Sequence, residues 1–104
     1  MEKRHLVSYL HGHYQERFSL TELAENASMS RNECCSYFKY MMNMTITAYL
    51  LEYRLTKAAA LLESTDLSIT EIAEQTGFCD VSYFIKMFRK KTGITPKAYS
   101  KNVK

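Results

Sequence analysis

The chain has 104 residues, 46% of them hydrophobic and 24% charged, with a formal net charge of +3. That is the size and balance of one compact globular body, or of two very small ones sharing an element. No run approaches the roughly 20 apolar residues that cross a bilayer. Cys34, Cys35 and Cys79 are odd in number and lack metal-ligand spacing, which points to the reducing cytoplasm.

Only three Gly and one Pro punctuate the chain, and apolar residues recur at helical spacing, so the sequence predicts an all-α protein of seven helices. Leu6, Leu10 and Tyr14 mark one face of an opening helix over about 3–15. Gly12 lies inside it, at a cost of about 1 kcal/mol relative to Ala. Ser19 with Glu22, Ser30 with Glu33 and Ser68 with Glu71 are S-x-x-E patterns, in which a serine oxygen accepts from a first-turn amide and the glutamate reaches back. They start helices at about 20–27, 31–42 and 69–76. Between the second and third of these, residues 45–64 predict a long central helix with Leu51, Leu55, Ala58 and Leu62 on one stripe, roughly 30 Å long. Asp80 is a cap for a helix over about 80–91, and Thr95-Pro96 places proline at the first position of the last helix, where its missing N–H costs nothing. Gly77 and Gly93 suit left-handed helix ends, with Ser28 and Asn43 as their counterparts.

Those counterparts exist because the chain repeats itself. Ser19-Leu20-Thr21-Glu22-Leu23-Ala24-Glu25-Asn26-Ala27 returns 49 positions later as Ser68-Ile69-Thr70-Glu71-Ile72-Ala73-Glu74-Gln75-Thr76, and Phe38-Lys39 pairs with Phe88-Arg89 at a spacing of 50. One extra residue therefore lies between Gly77 and Phe84. A duplicated unit of about 30 residues means two copies of one supersecondary motif. Each copy reads as a short helix, a tight turn and a second helix. The organisation follows: a first helix-turn-helix subdomain over 1–44, a linking helix over 45–64 and a second subdomain over 65–104.

In a helix-turn-helix that reads DNA, the second helix buries one face and leaves the other for base edges. In copy two Phe84, Met87 and Phe88 belong inside, with Ser82, Ile85, Lys86 and Arg89 outside; in copy one Cys34, Tyr37, Phe38 and Met41 belong inside, with Asn32, Cys35, Ser36 and Lys39 outside. The outward set is rich in the types that hydrogen-bond bases and phosphates. Base contact is expected from Asn32, Cys35, Ser36, Ser82 and Lys86, and phosphate contact from Arg31, Lys39, Arg54, Arg89 and Lys90. Lys86 either takes guanine O6/N7 or neutralises a phosphate; Asn32 either reads adenine or helps the helix start. The second copy is the basic one, since residues 53–104 carry nine Lys/Arg against five acids and residues 1–52 carry five against six. Successive major grooves lie about 34 Å apart, so a central rod of roughly 30 Å suits two reading helices in adjacent grooves.

The segment Arg54-Leu55-x-x-Ala58-x-x-Leu61-Leu62, followed by Ser68-Ile69-x-Glu71-Ile72-Ala73-x-x-x-Gly77-Phe78-x-x-x-x-Tyr83-Phe84-x-x-x-Phe88-Arg89-x-x-x-Gly93-Ile94-Thr95-Pro96-x-x-Tyr99, resembles the signature of AraC/XylS-type bacterial transcription regulators. The resemblance extends to the whole double helix-turn-helix domain, with its homeodomain-like three-helix units. It implies sequence-specific binding to double-stranded promoter DNA in the bacterial cytoplasm, commonly beside the site where RNA polymerase engages. The chain is then either a stand-alone small regulator or a piece of a longer one, and the resemblance favours the piece, since many members carry a separate effector-sensing or dimerisation domain ahead of this module. Outward positions depart from the family: Asn32 and Ser36 stand where Trp or Arg is frequent, and Ser82 and Lys86 where longer amide or guanidinium groups are common.

Nothing in the sequence suggests an enzyme. It has no Ser/His/Asp arrangement, phosphate-cradling glycine loop or carboxylate cluster. No metal or cofactor is expected. The pair His11-Gly12-His13 is spaced i, i+2, which on a helix points to different faces. Cys34 takes the slot of Phe84 and reads as a small buried residue. Two other readings remain open, an all-α protein-interaction module and the DNA anchor of a repair protein.

Overall fold

The computed structural model describes residues 3–103. Their regular elements are seven α-helices: α1 Lys3–His13, α2 Leu20–Asn26, α3 Arg31–Met42, α4 Ile46–Ser64, α5 Ile69–Gln75, α6 Val81–Thr92 and α7 Pro96–Val103. The all-α reading therefore holds, with boundaries within two residues of those expected. The largest departure is in α1, which ends at His13 instead of 15. There the His13 ring stacks on Tyr9 at 4.0 Å, its Nδ1 lies 2.8 Å from the Tyr9 carbonyl, and Glu16 N–H bonds the His13 carbonyl in a turn.

The chain divides into two compact units, Met1–Tyr53 and Arg54–Lys104, and α4 runs unbroken through the division. In the first unit α1 and α2 both pack on α3. Leu6, Leu10, Leu23, Ala24, Ala27, Cys34, Phe38 and Ile46 form its buried cluster. In the second unit α5 and α7 both pack on α6, with Leu55, Ala58, Leu62, Ile72, Ala73, Phe78, Phe84 and Phe88 buried. Each core is thus arranged around the second helix of its repeat.

Helix starts are fixed by the caps that the sequence advertised. At Ser30 and Ser68 both halves of the capping box form: the serine oxygen accepts from Glu33 N or Glu71 N, and the glutamate accepts from the serine N–H at 3.0 Å. At Ser19 the serine half forms, with Oγ accepting from Glu22 N at 3.2 Å. Asp80 accepts from Ser82 N at 2.9 Å. Thr45 and Thr95, again 50 residues apart, cap α4 and α7 by accepting from Ala48 N and Ala98 N.

The two turns show where the extra residue sits. Ser28 at φ 57° and Gly77 at φ 91° are equivalent left-handed residues. The amide after each bonds back to an equivalent carbonyl, Met29 to Ala24 and Phe78 to Ala73. Thereafter copy one goes directly to its cap Ser30, whereas copy two inserts Cys79 before its cap Asp80. Thr76 replaces Ala27 in this turn and is the buried polar side chain among the described residues; its hydroxyl donates to the Ile72 carbonyl at 2.7 Å, which removes the penalty of burial. At the far ends of α3 and α6, Asn43 (φ 57°) and Gly93 (φ 88°) are both left-handed, as expected.

Ser28 holds a conformation that L side chains adopt at a cost. Ser28→Gly is expected to raise the stability of the first unit by up to about 1 kcal/mol, read as a higher melting temperature. Glu33 and Glu71 are held below the usual carboxylate range by the backbone N–H and side chain of their cap serines. Their stabilisation is full above the unfolded value of about 4.3 and is lost as pH falls through the lower folded value. Replacing both by Gln keeps the cap hydrogen bond and removes the charge. On acidification below about pH 5, the unsubstituted protein should therefore lose melting temperature faster than that double variant.

Candidate nucleic-acid interface

α6 is divided lengthwise by burial. Phe84 and Phe88 are fully buried and Met87 half-buried, while Ser82, Ile85, Lys86, Arg89 and Lys90 are exposed. Ser82, Ile85, Lys86 and Arg89 follow i, i+3, i+4, i+7, one continuous stripe. They border a shallow open hollow that also reaches Gly93 and Thr95. Phe84 and Phe88 meet at 5.7 Å, Phe78 closes on Phe84 at 4.9 Å, and Tyr99 meets Phe88 edge-on at 5.3 Å. These contacts fix which way the stripe faces. Arg89, Lys90 and Lys91 all lie in the last turn, where positive charge also complements the carbonyl end of the helix dipole.

α3 repeats the arrangement with different side chains. Cys34 and Phe38 are buried and Tyr37 half-buried; Arg31, Asn32, Cys35, Ser36 and Lys39 are exposed. A second hollow, lined by Phe18, Leu20, Cys35, Lys39 and Thr45 among others, is the repeat counterpart of the first: Cys35 stands for Ile85, Lys39 for Arg89 and Thr45 for Thr95. One expectation fails. Met41 is 40% exposed, and Met42 packs on the core in its place. The phase of Met41 is inward, but it stands in the final turn of α3, beyond Phe38, the last buried residue of that helix.

The other expected contact residues sit as follows. Arg54 is half-buried and has interactions of its own, unlike the exposed cations of α3 and α6, and burial pulls its guanidinium below its ordinary pKa. Sequence periodicity placed it on α4 but carried no signal for that burial. Ile85 was legible as outward, with no role attached. His11 and His13 do point apart: His11 Nε2 bonds the Tyr49 hydroxyl at 2.7 Å and its ring stacks on Tyr53 at 4.0 Å. Among the described residues no three His, Cys, Asp or Glu side chains group as a metal site, and no helix is long and apolar enough to cross a membrane.

Comparison with known proteins gives a consistent result. The family described as Helix-turn-helix domain matches residues 23–102. An uncharacterized HTH-type transcriptional regulator of Bacillus subtilis, YdeC, is 38% identical over 98 residues, 94% of this chain and 34% of that protein. The C-terminal domain of the two-component response regulator yesN from Fusobacterium nucleatum superposes with a TM-score of 0.88 at 38% identity, over 94% of this chain and 96% of that one. The DNA-binding domain of the global transcriptional factor AdpA, solved in complex with a target DNA, superposes at 0.90 and 29% identity, over 96% and 90%. The chain spans about a third of the length of the curated relatives it matches.

The cysteines divide by exposure. Cys34 is buried, and burial raises its thiol pKa; Cys35 and Cys79 are exposed. A thiol-alkylating reagent under native conditions should label Cys35 and Cys79 and spare Cys34 until the protein is unfolded, as read by mass spectrometry of the digested protein.

Proposed function

The chain belongs to the AraC/XylS-type family of bacterial helix-turn-helix transcription regulators, and on that footing we propose that it binds double-stranded promoter DNA in a sequence-specific manner, with α3 and α6 as its reading helices. The observation that carries this is the outer stripe of α6. It is polar and basic over Ser82, Lys86, Arg89 and Lys90, exposed, and backed by the buried pair Phe84 and Phe88. A rigid helix with that face has the shape and charge for a major groove.

Within this reading Asn32, Cys35, Ser36, Ser82 and Lys86 contact bases, and Arg31, Lys39, Arg89 and Lys90 contact phosphates. Arg54 reaches a phosphate only by extending from its half-buried position. The two units take adjacent grooves, so one chain covers two half-sites. On this reading the chain is organised as subdomains 1–44 and 65–104, one reading helix in each, with residues 45–64 as the linking helix. In the bacterial cytoplasm the neighbour on the promoter is RNA polymerase, and effector sensing or dimerisation falls to another domain of a longer regulator. The repair-anchor reading loses ground because the named relatives are regulators. The interaction-module reading loses ground because the two reading stripes are mainly polar or basic.

Affinity for duplex DNA is expected to fall steeply with salt, by a slope of about −0.9 in log K against log salt for each phosphate neutralised. No binding to any duplex even at low ionic strength would sink the proposal. Lys86→Ala should weaken a selected site by about 1–3 kcal/mol and random DNA much less. Lys90→Ala should weaken both alike and flatten the salt slope by about 1. Equal losses on both duplexes for Lys86→Ala would move Lys86 to the phosphate set.

A further inference from the structure

Ile85 is out of character with its surroundings. It is 36% exposed on a helix whose buried residues are Phe84 and Phe88, and it sits in the middle of the stripe between Ser82, Lys86 and Arg89. A β-branched residue gains little from the helix itself, since its χ1 freedom is restricted there, and the 36% of its surface that remains exposed is apolar. In the first unit the slot 50 residues earlier holds Cys35, also exposed. Both reading faces therefore carry an uncharged, weakly polar or apolar group at the same place, and the larger one belongs to the more basic helix.

A major groove offers such a side chain one apolar feature, the C5-methyl group of thymine. Lys86 and Arg89, one position after Ile85 and one turn beyond it, supply the charge that holds the duplex against this face. We propose that Ile85 is a specificity-determining residue that packs on a thymine methyl group, so that the second reading helix demands T at one fixed position of its half-site. The proposal rests on the DNA-binding reading above. Cys35, with less apolar surface, makes the corresponding position in the first half-site less selective.

Replacing thymidine by deoxyuridine tests this directly, because it deletes the methyl group and keeps every hydrogen-bonding atom. Duplexes selected by the protein are resynthesised with each T changed singly to U, and binding is measured at fixed salt. At one position in the α6 half-site the substitution should weaken binding about three- to ten-fold, the scale of one buried methyl group. With Ile85→Ala the T and U duplexes should bind equally there, while the salt dependence stays as before. Ile85→Val should retain part of the discrimination, which separates a methyl contact from a general disturbance of the helix. Equal binding of T and U duplexes at every position by the unsubstituted protein overturns the proposal, as does discrimination that survives unchanged in Ile85→Ala. Failure to bind any duplex overturns the DNA-binding reading itself, and this proposal with it.

Discussion

In each unit a phenylalanine on the exposed helix meets, edge to face, a tyrosine from the helix that follows: Phe38 and Tyr49 at 5.7 Å, Phe88 and Tyr99 at 5.3 Å. A helix that offers one face to a partner is held only by the other, and twelve residues give that face few turns in which to grip. Large aromatic rings supply the most buried area per residue and a preferred relative geometry. The azimuth of the exposed stripe, and with it which side chains a partner meets, depends on this contact. Caps and left-handed terminators set where each helix begins and ends; the aromatic seam sets how it is rotated.

The two units meet this demand differently. The second builds an aromatic cluster directly behind the stripe, with Phe84 in contact with both Phe78 and Phe88. The first has the smaller Cys34 in the slot of Phe84 and gathers its rings elsewhere. There His11 stacks on Tyr53, Tyr14 meets Tyr53 edge-on at 5.2 Å, and Tyr49 bonds His11 while touching Phe38. A hydrogen bond between ring side chains therefore runs through the first unit's aromatic packing, where the cluster of Phe78, Phe84 and Phe88 offers only hydrocarbon faces. The charge follows the same division, since the helix with the harder backing also carries the denser cations.

Much of this was legible in the sequence because it is local chemistry. The capping boxes at Ser30 and Ser68, the left-handed residues Ser28, Gly77, Asn43 and Gly93, and the burial of Phe38, Phe84 and Phe88 depend on residues within a turn or two of one another. The reading of Cys34 as a buried residue came from aligning the two copies and holds in the structure. What escaped depends on contacts between distant positions. Met41 and Met42 differ in burial through where the core ends, not through helical phase. The burial of Arg54 and the bond between His11 and Tyr49, 38 residues apart, have no signature in periodicity. Ile85 illustrates an intermediate case: its outward direction was plain, and its consequence emerged only once its exposure among polar neighbours was known.

The single-residue difference between the two turns has a consequence for how such a protein changes over time. From cap to left-handed terminator the reading segments are the same length, Ser30–Asn43 and Asp80–Gly93, fourteen residues each. The added Cys79 lies wholly outside them, in the hinge. Each of these segments is thus a cartridge with standard ends, and substitutions on its outer stripe alter the face it presents without shifting the mount. A transplant cut at the caps preserves length on both sides, whereas one cut at Ser28 or Gly77 carries a frame error into the hinge. The inner residues limit the exchange, because Phe84 brought into the space of Cys34 would overfill it. New specificity is therefore easier to reach by rewriting a stripe than by swapping the helix that bears it.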